Sequence, residues 1–295
     1  MQNKVLFQKK RLLRPSRGLL SVLCLILCLV LFCSCDLLLE SGSPSDPLPS
    51  SAEETSSDPD TSVESSEPSA EPTYSYRIDI SPYLEAITTE NDFLINKTHP
   101  CGSAFVPAQL RTISDRFSQR TIQMEETAAL ALEAMLLEME ADGIRHVFVT
   151  SGYRSYEYQS QLFIQYFQKE KEANSQLSDD EIREIVRSYS AYPGESEHQS
   201  GLCADLMTTQ MSELVNYGSE TPNHATDLGF AETSAFTWLS QNAYRFGFIL
   251  RYPEEKEDIT GYSYESWHYR FVGRRLATYL YQNDLTLEEY GNLSS

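Results

Sequence analysis

The chain has 295 residues, 43 acidic against 23 basic, and a formal net charge of -20. Such acidity argues against nucleic acid as a partner and against electrostatic attraction to anionic wall polymers, so specificity must reside in a cleft. Because the first 35 residues carry Lys4, Lys9, Lys10, Arg11, Arg14 and Arg17 and no acid, everything after them is more acidic still.

The basic flank leads into an apolar run over 19–32. It reads as an export signal. A membrane-spanning helix needs about 20 apolar residues, a length this run reaches only by continuing through Cys33, Ser34, Cys35 and Asp36. A signal sequence is therefore favoured over an uncleaved anchor, and in either case the basic flank stays inside the cell. FCSC at 32–35 is similar to a bacterial lipobox, with Cys35 the better candidate for lipidation; bulky neighbours make the match imperfect. The expected location is the outer face of a bacterial membrane. Residues 36–74 form a linker dominated by Ser, Pro, Glu and Asp over 41–72, too poor in large apolar side chains to fold and extended by proline and like charge.

The remainder, 75–295, suits one domain with a sizeable core. Ala128, Leu132, Met135, Leu136 and Met139 recur at helical spacing and stop before Gly143. HVFVTSG at 146–152 reads as a strand, with His146 in a structural role. Helices are expected over 156–171 and 178–189, the second opened by a Ser178/Glu181 capping box. A short strand is expected over 202–207, after the turn that Gly201 permits. A helix over 235–246 closes at Gly247, FILRYP and HYRFVG follow as strands, and Thr286 with Glu289 caps a final helix. Strands and helices do not alternate regularly, which gives α+β.

Two motifs carry the chemistry, SEHQSGLCAD at 196–205 and ESWHYR at 265–270. They supply two imidazoles, a ligand carboxylate and a spare carboxylate, the inventory of metal-assisted hydrolysis. Zinc takes three protein ligands in such sites, here His198, Asp205 and His268, while Glu265 is left as the base. His224 is the substitute ligand should one of the three fail. These motifs, with FLINKTHPCGSAFVPAQL (93–110) and TSGYRSYEYQSQLF (150–163), resemble the zinc D-alanyl-D-alanine carboxypeptidase family, which includes the vancomycin-resistance carboxypeptidases and dipeptidases.

The resemblance implies a small antiparallel sheet flanked by helices around a zinc cleft, of the D,D-peptidase type. It assigns zinc to His198, Asp205 and His268, catalysis to Glu265 and a substrate contact to Arg154. Arg154 suits either a peptide carboxylate or a developing oxyanion. Ser155 and Gln159 fall where the family lines its cleft, Ser196 sits two residues before a ligand, and Trp267 is a core or cleft-wall aromatic. The expected partner is the peptidoglycan stem peptide and the expected state a monomer. D,D-carboxypeptidase, L,D-carboxypeptidase, dipeptidase (ranked last, because a tethered enzyme meets wall peptides) and non-catalytic wall sensor all remain open readings. Cys101 and Cys203 either form a disulfide between two motifs or stay as buried thiols. Cys203 as a zinc ligand is less attractive, since it would compete with Asp205.

Overall fold

The computed structural model describes residues 73–208 and 229–293. The leader, Cys35, the linker up to residue 72 and His224 lie outside them. Among the described residues no helix is long and apolar enough to cross a membrane.

The chain enters through a short helix α1 (Leu84–Thr88) and a two-stranded antiparallel sheet, β1 (Leu110–Thr112) with β2 (Gln123–Glu125). β2 runs directly into α2 (Glu126–Ala141), whose first turn is capped by the Glu125 carboxylate accepting from the Ala128 amide. Alanine, leucine and methionine occupy so much of α2 that it is buried on most of its circumference, and it forms the centre of the main core. Gly143, at φ +88°, ends it in the left-handed region, as expected.

The central sheet is antiparallel with strand order β3-β4-β6-β5, built from β3 (Val147–Ser151), β4 (Cys203–Thr208), β5 (Phe248–Leu250) and β6 (His268–Phe271). One face carries Ala204, Leu206, Tyr269 and Phe271 into the core shared with α2. By strand alternation, Cys203, Asp205, His268 and Arg270 occupy the other face. The register makes Asp205 the cross-strand partner of both Ser151 and His268. Two helices after β3, α3 (Tyr156–Ala173) and α4 (Asp179–Tyr189), form a hairpin in which Phe163, Ile182 and Val186 are buried. The Ser178/Glu181 capping box is present, with each residue's side chain bonded to the other's backbone amide.

Helix α5 (Ser234–Asn242) passes into a 3₁₀ turn (Ala243–Phe246) that Gly247 closes at φ +84°. After β5 come the single-turn α6 (Glu257–Thr260), β6, and two closing helices, α7 (Arg274–Asn283) and α8 (Leu287–Leu293). They bury a second cluster around Ile249, Val272, Leu276, Leu280 and Leu287. The Thr286/Glu289 capping box opens α8. His146 departs from its expected place: it is exposed just before β3, at φ +64°, and not inside a buried strand. The observed class is α+β with small antiparallel sheets and flanking helices.

Candidate active site

His198 stands on a 3₁₀ turn (Glu197–Ser200) that stops at Gly201, where φ is +71°. A β-carbon on Gly201 would lie 2.8 Å from the Glu125 amide nitrogen, which itself donates to the Gly201 carbonyl. Only glycine meets both the left-handed backbone and this close approach. Gly201→Ala is expected to destabilise the protein by about 1–3 kcal/mol and to displace His198; a thermal melt equal to wild type would refute the packing argument.

The turn is tied to the end of β3 by the Arg154 amide donating to the His198 carbonyl at 3.0 Å. The Gly152 carbonyl lies 2.6 Å from His198 Nδ1, so Nδ1 donates and Nε2 keeps its lone pair for a ligand. Gly152 is needed here as well, since a β-carbon would sit 2.5 Å from the Gln123 carbonyl oxygen. Asp205 arrives from the neighbouring strand. One of its oxygens is 3.3 Å from His198 Nε2 and the other 3.0 Å from His268 Nδ1. Glu265 approaches the same His268 nitrogen at 3.5 Å, positioned by its amide donating to the Tyr252 carbonyl and by its own carbonyl accepting from the His268 amide.

The structure therefore brings His198, Asp205, His268 and Glu265 together from three separate segments. Arg154, Gln159, Ser196 and Trp267 line the same cleft, with Tyr189, Tyr252 and Tyr262 as further walls. Gln159 is buried, its amide donating to the Ala191 carbonyl while its side-chain oxygen is unpaired. Ser155 does not line this cleft. Its hydroxyl accepts from the Tyr158 amide as the N-cap of α3, and it lines an adjoining hollow with Arg154. The Cys101–Cys203 disulfide is not formed either. Both are free thiols; Cys203 faces the two imidazoles, whereas the backbone at Cys101 is held to the Gly194 carbonyl.

Beneath the cleft lies a charge network the motifs alone do not disclose. Glu197, beside His198, accepts from Arg251 and Arg270 at 2.8 Å each, and all three side chains are completely buried. Arg251 also donates to Glu288, which accepts from Asn96. Two arginines face two glutamates, so the buried charges balance. The second oxygen of Glu197 lies 3.7 Å from His268 Nε2, on the other ring nitrogen from the one that Asp205 meets. Gln199 anchors the preceding loop by donating to the Gly102 and Phe105 carbonyls. These contacts give Asn96, Gly102 and Phe105 of the 93–110 motif a place beside the charge network and the His198 turn.

Electrostatically, burial pushes the Glu265 carboxyl up to about 7, with the His268 charge pulling the other way. Burial disfavours an ionised Asp205, but His198 and His268 outweigh it and hold that carboxyl well below the usual range. Burial likewise disfavours protonation of the two imidazoles, and the neighbouring Cys203 and Asp205 outweigh it, raising both. The same imidazoles draw the Cys203 thiol down to about 7 against its burial.

His198 and His268 are 2% and 3% exposed, yet Nε2 of each has no hydrogen-bond partner. Leaving buried nitrogens unpaired costs about 1–3 kcal/mol apiece, so the arrangement fits a cation better than it fits a closed polar core. Imidazole and carboxylate donors at these separations suit zinc.

The family profile described as VanY, D-alanyl-D-alanine carboxypeptidase, matches residues 121–274. The chain belongs to the VanY family. Within the range of the VanY match lie β2 to β6 and all four central site residues. The Bacillus subtilis protein YodJ is 36% identical over 215 residues, 70% of either chain. A solved VanY, a mutant D,D-pentapeptidase from a VanB-type resistance cassette in complex with Zn(II), is 30% identical with a TM-score of 0.53, covering 68% of this chain and 98% of that one. The LD-carboxypeptidase LdcB is 36% identical with a TM-score of 0.55, covering 68% and 84%.

Proposed function

We propose that the protein is a zinc D-alanyl-D-alanine carboxypeptidase that removes the terminal D-alanine from peptidoglycan stem peptides. The observation that carries this reading is the convergence of His198, Asp205, His268 and Glu265 in one buried cleft of a VanY-family fold. His198, Asp205 and His268 would hold zinc, which supplies Lewis acidity to acidify water and polarise a carbonyl.

The remaining steps fall to the chain's own groups. Glu265 takes a proton from the attacking water and returns it to the departing amine, a task its carboxyl can perform from beside His268. Arg154, whose Nε is buried without a hydrogen-bond partner, stands at the cleft to receive the negative charge of a peptide carboxylate or a developing oxyanion. Ser196, Gln159 and Trp267 shape the wall against which the stem peptide lies. His198 is kept in one tautomer by the Gly152 carbonyl, and Asp205 orients the ring of His268.

A second reading has a specific support. The chain is as similar to an LD-carboxypeptidase, at 36% identity, as to any relative named above, so trimming of tetrapeptide stems is the alternative. Mass spectrometry of pentapeptide and tetrapeptide stems incubated with the zinc-loaded protein separates the two. Loss of alanine from the pentapeptide alone is expected; loss from the tetrapeptide moves the assignment to L,D, and loss from neither sinks both.

We also propose that the enzyme acts outside the cell as a monomer, tethered by lipid on Cys35 or by an uncleaved anchor and raised on the acidic linker. The support is the basic flank, the apolar run and the linker composition.

A further inference from the structure

We propose that Cys203 is a sulfur donor to the metal centre, making it a mixed nitrogen, oxygen and sulfur site. The inference rests on the zinc reading above and adds a ligand to it.

Cys203 and Asp205 are two residues apart on β4, so both project from the same face of the sheet. The register sets Cys203 opposite Arg270 and Asp205 opposite His268, which places the sulfur beside the imidazole pair. Ligand-capable atoms of His198, Cys203 and His268 all lie within 4.8 Å of one another, and all three residues are buried. The rings of His198 and His268 meet edge to face with centroids 5.0 Å apart, so both imidazoles stand beside the sulfur. Nε2 of each imidazole has no hydrogen-bond partner, and both residues are at least nine-tenths buried. A neutral thiol, a weak donor and weak acceptor, does little for them. A thiolate sharing a dication with both rings would give the sulfur and one nitrogen of each imidazole a partner.

The two side chains of β4 need not exclude each other. Asp205 reaches His268 at Nδ1 and His198 at Nε2, and Cys203 lies against the same pair one β-repeat along the strand. Four protein donors leave water a fifth position, which zinc accepts. Sulfur also softens the site, so thiophilic ions are held more tightly than an all-nitrogen-and-oxygen centre would hold them.

Zinc K-edge X-ray absorption of the full-length protein, loaded with one equivalent of zinc, tests the assignment. A sulfur shell at about 2.3 Å is expected beside the nitrogen and oxygen shell at about 2.0–2.2 Å. Cys203→Ala and Cys203→Ser should each bind zinc without the sulfur shell, and serine preserves the side-chain volume should alanine disturb the strand. Wild-type protein showing nitrogen and oxygen alone overturns the proposal and leaves the hydrolase reading standing. A sulfur shell that persists in both variants overturns it too, by tracing the signal to thiols elsewhere in the chain. Zinc absent from wild type altogether would remove the metal reading on which the proposal rests.

Discussion

Glu265→Gln should lower kcat on a pentapeptide stem by about two to four orders of magnitude while the protein still binds one zinc ion. Glutamine keeps the shape of the side chain and its hydrogen-bonding reach but cannot carry a proton between water and the leaving amine. The same substitution has an opposite effect on folding. Burial lifts the Glu265 carboxyl from an ordinary 4.5 to about 7, so the folded state prefers the protonated form. Its contribution is therefore favourable below pH 4.5 and is lost as pH rises through 7. In zinc-free protein, Glu265→Gln should be more stable than wild type at pH 8, by on the order of 3 kcal/mol, and equal to it near pH 4. Chemical denaturation at the two pH values checks this, alongside turnover and zinc stoichiometry. Unchanged turnover would show that another group is the base; unchanged stability would show that the carboxylate is better solvated than its surroundings indicate.

Glu197→Gln acts through the network below the cleft. Removing this charge strands Arg270 and leaves Arg251 with Glu288 alone, in a region where all of these side chains are buried or nearly so. Breaking a buried pair in this way costs about 3–5 kcal/mol. For a domain of this size that corresponds to a fall in Tm on the order of 10 °C. Because Glu197 also faces His268 Nε2, zinc affinity should drop about 10- to 100-fold. Glu288→Gln provides the contrast, since Glu288 touches Arg251 and Asn96 but no imidazole: it should lower Tm and leave zinc affinity nearly unchanged. Burial alone would raise the Glu197 carboxyl, but Arg251 and Arg270 outweigh it and hold it well below the usual range. Its stabilisation is thus present above about pH 4.5 and lost as pH falls further. Wild type and Glu197→Gln should converge in stability on acidification below that point. A variant that melts with wild type at pH 7 would remove Glu197 from any structural role.

Much of this was legible before any coordinates. The helices over 126–141 and 179–189 declare themselves through apolar spacing, Gly143 and the Ser178/Glu181 box, all local signals. The ligand trio and Glu265 were legible because metal chemistry restricts residue types and the surrounding motifs are long. Glu197 was not, since a buried acid and a solvated one look alike until Arg251 and Arg270 arrive from distant segments. The capping role of Ser155 was not separable from a cleft contact, because a serine ahead of a helix can serve as either. His146 failed for a related reason: one residue separates the exposed turn from the buried strand. The β1–β2 pair, three residues in each strand, is too short to show a period.

The pairing of Asp205 with His268 makes the metal centre a matter of timing as well as position. Each lies in an adjacent strand, and His198 hangs from a turn fixed to a third by the Arg154 amide. A shift of one residue between β4 and β6 would turn one ligand to the core and dismantle the set. No stretch of the unfolded chain holds the ligands at binding distance, so metal capture must wait for the sheet to close. A chain that crosses a membrane unfolded would then travel without an assembled centre. It would acquire zinc, and with it any power to cut peptide bonds, only on the side where it folds.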